Sequence, residues 1–425
     1  MRRLGAIAVA LACAATAWGA GIAAAAPTPG PGVTLTEVGY WPDDVPDDQM
    51  AVDLGGTAYA STTYGANTYS MRPAGGNWSA PRTLPGVLAN SGLHLAASKI
   101  GTAVAAYSGP GDYAARYVAA QTRRANGTWT APYKLASRTT DTAFAHIQAL
   151  SNADGDHAVA WLERPISGAT RPQIKIGVFL RGDRWRVYTV GPGVRFQAGI
   201  DGSGAVHVAR EYTPSGGLPT IIQRVKRPGK TMSTAKSFGI VPEHGWRYLV
   251  ESTGRQTMVL NDDTDARILR QETLGGPFVL VWKKDGVYVS AAVGGARLRV
   301  VWRDQDPGEA PVLSPTWTQV VRPSPQPAEA LTPTAGAPTV DMDKLGVGVI
   351  AWPDGETLIG RTFDAGGLSN PRTIVSGADR VRWVGRSGGG HLLQVQNCTN
   401  CGLLPEEGGG PPNDYWVYAA DLPQY

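Results

Sequence analysis

Residues Ile147 to Trp161 read IQALSNADGDHAVAW. A short apolar run leads into a turn around Gly155, and a second apolar run leads away to a tryptophan. Asn, Asp and Gly between two such runs mark a tight chain reversal, so the stretch is a β-hairpin. The same unit recurs along the chain. It is seen at Met50–Thr62 (Gly56), Leu93–Tyr107 (Gly101), Phe196–Arg210 (Gly204) and Tyr248–Asn261 (Gly254). It recurs again at Val287–Trp302 (Gly295), Val340–Trp352 (Gly346) and Trp383–Gln396 (Gly389). The turn glycines are separated by 45, 54, 49, 50, 41, 51 and 43 residues. A period in the forties of strand-type sequence is what the blades of a β-propeller produce. The fold expected is all-β: a closed propeller of four-stranded blades, seven or eight in number. The eight copies favour eight, and seven follows if the Gly295 copy belongs to its neighbour.

A second motif supplies the outer half of the blade. Asn77–Leu84 (NWSAPRTL), Thr128–Leu135 (TWTAPYKL) and Gly367–Ile374 (GLSNPRTI) each follow a glycine-containing turn. Proline cannot donate to a ladder and is confined to sheet edges, which places this segment outermost. The last unit provides a second strand and a third, Tyr415–Tyr418, and then the chain stops. Val33–Val38 (VTLTEV) alternates apolar and polar residues and precedes the first full unit. It is expected to supply the missing outer strand and close the ring, which removes the edges of an open array. The proline-rich stretch 322–338 reads as a long connection between blades.

Composition agrees with many short strands and turns: 54 Gly, 32 Pro and only 17% charged residues. Residues 1–26 read as an export signal, with Arg2 and Arg3 followed by an alanine-rich apolar run ending in Ala23–Ala26. The propeller domain then spans 27–425 in a secreted, extracellular protein, expected to be a monomer. No later run is apolar enough to span a bilayer. Without the signal, 37 basic residues face 35 acidic ones, and no basic stripe occurs, so nucleic acid is not an expected partner. In an exported chain Cys398 and Cys401 are expected to form a disulfide, because their strand-like and glycine-rich flanks do not suit a redox motif.

Asn126-Gly127-Thr128-Trp129 and Asp364-Ala365-Gly366-Gly367, at the hairpin between third and fourth strands, resemble the Asp-box (BNR) repeats of sialidase-type propellers. The resemblance implies architecture, since that box lies away from the family's active site. The family's Arg-Ile-Pro element is missing from this chain, and Glu163-Arg164-Pro165 is the nearest string. No catalytic residue is carried over, and no metal or phosphate-loop motif occurs.

Topology locates the candidate site. Both glycine turns lie on one face of the disc. The loops from second to third strand, and from each blade to the next, lie on the other. Seven residues before each turn glycine, where the inner strand enters, stand Gln49, His94, Gln148, Gln197, Arg247, Tyr288, Thr339 and Arg382. All are polar. At the ends of second strands stand Glu163, Glu211, Asp262, Asp304 and Asp354. Polar groups converging on a channel suit a hydroxyl-rich ligand. The arginines suit a carboxylate or sulfate, and the carboxylates suit sugar hydroxyls or a calcium ion. The leading expectation is a non-catalytic protein binding an extracellular small molecule or glycan at the channel. The alternatives are a sialidase-like glycoside hydrolase or lyase using two of the carboxylates, and a protein-interaction platform.

Overall fold

The computed structural model describes residues 27–422 except 32, 43–49, 54, 64–67, 87–92, 110–116, 138–141, 167–170, 181–183, 274, 295–296, 305–313, 335–337, 344–345, 355–356, 365, 378–379, 388–389 and 399–413. Every regular element among them is a strand, and no helix of the kind that crosses a membrane occurs there. The strands form eight four-stranded blades around a common axis. They cover 50–83, 94–137, 142–192, 195–240, 246–285, 288–334, 339–376 and 380–422.

The blade count and the closure follow the sequence reading. Thr34–Pro42 pairs antiparallel with Asp414–Leu422, with Glu37 opposite Tyr418 and Trp41 opposite Tyr415. The eighth blade is thus completed by the N-terminal strand. Inner strands of consecutive blades touch all the way round, from Met50–Val52 to Arg380–Ser387 and back. Two details differ from expectation. Within 322–338, Glu329–Thr334 is the outer strand of blade six, paired with Ser314–Arg322, so the connection to blade seven is short. An outer strand needs partners on one side only and therefore tolerates proline. Blade seven also carries a fifth strand, Thr28–Pro29, laid on the outer strand Arg372–Ser376.

The cores lie between blades. Val104, Val118 and Ala120 of blade two meet Phe144, Ile147, Val159 and Trp161 of blade three. Leu150, Leu162, Ile174 and Val190 of blade three meet Val206 and Val208 of blade four. Each middle strand is covered on both faces, which is why it reads as a continuous apolar run. Trp161, Trp302 and Trp352 are all buried in such cores and cannot stack on a sugar.

Six of the eight inner hairpins share one turn. The residue three before the glycine bridges the turn by its backbone: Asp53, Ser98, Asn152, Asp201, Glu251 and Asp343 each bond the residue four positions on. In five of them the side chain also accepts that residue's N–H: Asp53, Ser98, Asn152, Asp201 and Asp343. The glycine takes a left-handed φ, +77° at Gly204, where a Cβ would meet Asp156 Oδ2 at 2.8 Å. The other two hairpins pair Gly294 with Arg297 and Ser387 with Gly390, leaving two residues between. A second device recurs between third and outer strands: the hydroxyls of Ser79, Thr130, Ser233 and Ser369 accept the N–H groups of Met71, Thr122, Val225 and Thr362.

Candidate functional site

The entrance positions of the inner strands stand round the axis, and the structure divides them by what their side chains do. Gln148 bonds both backbone groups of Ala198 in the next blade, donating to its O at 3.2 Å and accepting from its N at 3.1 Å. Gln197 repeats the device one blade on, donating to Trp246 O at 3.0 Å and accepting from Tyr248 N at 2.7 Å. These carboxamides stitch inner strands together where no sheet ladder runs, satisfying backbone groups that would otherwise be buried unpaired. Thr339 gives its hydroxyl to Ala351 O within its own blade. Arg247 and Tyr288, both half-buried, have no hydrogen bond or ion pair among the described residues. His94 is half-buried on the inner strand of blade two, opposite Ala106. Arg382 lies on the inner strand of blade eight opposite Gln394, and its side chain, like all of Gln49, lies outside the described residues.

The five second-strand carboxylates have different partners. Glu163 accepts from Trp161 Nε1 at 3.2 Å and faces Lys175 Nζ at 3.7 Å. Asp304 is held more tightly, by Trp302 Nε1 at 3.2 Å, Trp317 Nε1 at 2.6 Å and Lys284 Nζ at 2.7 Å. In both blades the tryptophan two residues earlier turns its N–H back to the carboxylate, so these acids satisfy a buried indole. Asp262 pairs with Arg267 at 3.3 Å. Glu211 is half-buried opposite Arg195, and Asp354 is exposed beside Thr357.

Sequence reasoning missed three features of this face. Asn261, the residue before Asp262, is a third interblade clamp, donating to Val289 O at 3.2 Å and accepting from Val289 N at 2.9 Å. Glu243 and Asp263 share a hydrogen bond between their carboxyls, which raises the pKa of Glu243 and lowers that of Asp263. His244 Nε2 stands 2.5 Å from Asp263 Oδ1. The third feature is His146, beside Arg164 on blade three. A polar residue next to Asp262 or before Gln148 was the only available signal, and it does not reveal a partner on another blade. No group of three or more metal-ligating side chains occurs among the described residues. The cysteine pair falls partly at Cys401, outside the described residues.

No protein-family model and no curated protein matches the chain. Solved structures do. A polysaccharide lyase described as a PL25 ulvan lyase is 12% identical over 68% of this chain and 79% of its own, with a TM-score of 0.39. A eukaryotic initiation factor is 12% identical over 90% and 93%, with a TM-score of 0.46. A Hadza microbial sialidase is 11% identical over 73% of each, with a TM-score of 0.34.

Proposed function

We propose that the chain is an exported propeller that binds an extracellular carbohydrate at the loop-face mouth of its channel. One observation carries the reading. Ring closure brings the inner-strand entrances round a single axis, and there Arg247 and Tyr288 keep polar groups free of protein partners among the described residues. A guanidinium and a phenol suit ring hydroxyls and a carboxylate or sulfate substituent. Binding is favoured over hydrolysis by the carboxylates themselves. Glu163 and Asp304 are occupied by indole N–H groups. Export by residues 1–26 and a Cys398–Cys401 disulfide belong to the same proposal. Thiol titration of the unreduced protein tests the bond, and two free thiols would refute it.

A glycan array probed with the purified protein, followed by Arg247→Ala/Arg382→Ala, tests the site. The expected result is a defined set of retained glycans, lost in the double variant with the melting temperature unchanged. Retention of no glycan, or retention untouched by the substitutions, contradicts the proposal.

A further inference from the structure

The inner strand of blade three starts further out on the loop face than those of blades four and five. Its inner strand begins at Thr142, six residues before Gln148, and stays paired with the second strand from Thr142 opposite Pro165 to Ala145 opposite Leu162. The inner strand of blade four begins only two residues before Gln197, and that of blade five one before Arg247. The extended hairpin joins the channel portion through a bulge between Ala145 and Gln148. Within it His146 has φ +46°, the one non-glycine residue in the left-handed region among those described. Bulges re-aim side chains, and a left-handed non-glycine residue is kept where the surroundings enforce it.

The bulge brings the His146 ring to Arg164, whose Nη2 lies 3.3 Å from Nε2. Arg195 approaches from the start of blade four and rests over the Trp246 ring at 5.7 Å. The His146 residue as a whole remains exposed, yet enclosure of its imidazole, and then the charges of Arg164 and Arg195, lower its pKa. A neutral ring that accepts at Nε2 keeps an N–H to donate. Both arginines are exposed, and neither forms an ion pair among the described residues. Arg195 stands opposite Glu211 in its ladder without bonding it, and Glu163, next to Arg164 in sequence, is turned to Trp161 and Lys175. The Arg164 guanidinium thus lies against the His146 imidazole on the extended hairpin, Arg195 begins the adjoining inner strand, and neither guanidinium is ion-paired among the described residues.

We infer that His146, Arg164 and Arg195 form an anion site that receives a carboxylate or sulfate group of a polysaccharide lying across the channel mouth. The inference rests on the carbohydrate reading and assigns its ligand class. Planar oxyanions match the guanidinium fork, and an incoming anion would give these exposed guanidinium groups the partner they lack among the described residues.

Affinity electrophoresis distinguishes the sources of the anion with three polymers: polygalacturonate, dextran sulfate and neutral dextran. Retardation is expected in polygalacturonate, in dextran sulfate, or in both, and not in dextran. Arg164→Ala/Arg195→Ala should weaken it by about tenfold or more, the scale of one lost charge-assisted bond. Arg184→Ala/Arg186→Ala removes the same charge from the exposed outer strand of the same blade and should leave retardation nearly intact. His146→Gly relieves the left-handed backbone, so it should weaken binding while holding or raising the melting temperature. Equal loss in the two arginine pairs, or no retardation by either anionic polymer, overturns the inference. Retardation by neutral dextran alone would overturn it while leaving the carbohydrate reading intact.

Discussion

The two faces of the disc are built by opposite rules. On the turn face, six hairpins repeat one device, a polar residue, two spacers and a left-handed glycine, with the same backbone bond from the polar residue's N–H each time. On the loop face no single device runs through the blades. The entrance position is a clamp at Gln148 and Gln197, a cation without protein partners among the described residues at Arg247 and a phenol at Tyr288. Blade three adds a bulged extension, and blade five sets His244 beside Asp263. Repetition marks what every blade needs in order to fold. Variation marks where one asymmetric ligand can be read by different blades.

That contrast predicts a division of effects. The largest belongs to the turn face. Asp201 accepts from Ser203 N, Ala205 N and the Ser203 hydroxyl, and its Oδ2 lies 2.8 Å from Nε2 of the buried His207. Burial alone would raise its pKa, but these bonds outweigh it and leave it lowered. Asp201→Ala should cost about 3–5 kcal/mol, because it removes a turn and strands a buried partner. Chemical denaturation measures this, and glycan binding by the remaining folded protein should be unaltered.

His157, also near the turn face, should give the next effect. It is buried beside Phe179 with Nδ1 unpaired among the described residues, and burial lowers its pKa to about 4. Folding then excludes a proton that the unfolded chain accepts near pH 6.5. The stabilisation is complete above pH 6.5 and is lost as the pH falls from there toward 4, by up to about 3 kcal/mol. His157→Phe should flatten that part of the stability profile. An unchanged slope would show that other groups carry it. The smallest effect belongs to the loop face: Arg247→Ala should move stability by under about 0.5 kcal/mol. A loss comparable to that of Asp201→Ala would erase the distinction between the faces.

The same division explains what could be read in advance. The blade count was legible because the turn glycine is a local requirement repeated six times in one form. It was weakest around Gly295 and Gly389, and there the chain uses two-residue hairpins that need no such spacing. The closing strand was legible from the alternation of Val33–Val38. The Thr28–Pro29 strand was not, since two residues carry no pattern. At the site, sequence located polar positions but not their use. Gln148 and Gln197 look like ligand-facing amides until the backbone of the next blade is beside them. His146 becomes distinctive only through a bulge, which is a property of pairing rather than of composition.

Hydrogen exchange with and without polygalacturonate or dextran sulfate tests the central claim most directly. Protection on adding the polymer should be confined to loop-face peptides around His146, Arg164, Arg195 and Arg247. The turn peptides at Ser98–Thr102, Asn152–Asp156 and Asp201–Ala205 should exchange as before. Protection centred on those turns or on the outer strands, or no protection anywhere, would contradict a ligand site at the loop face.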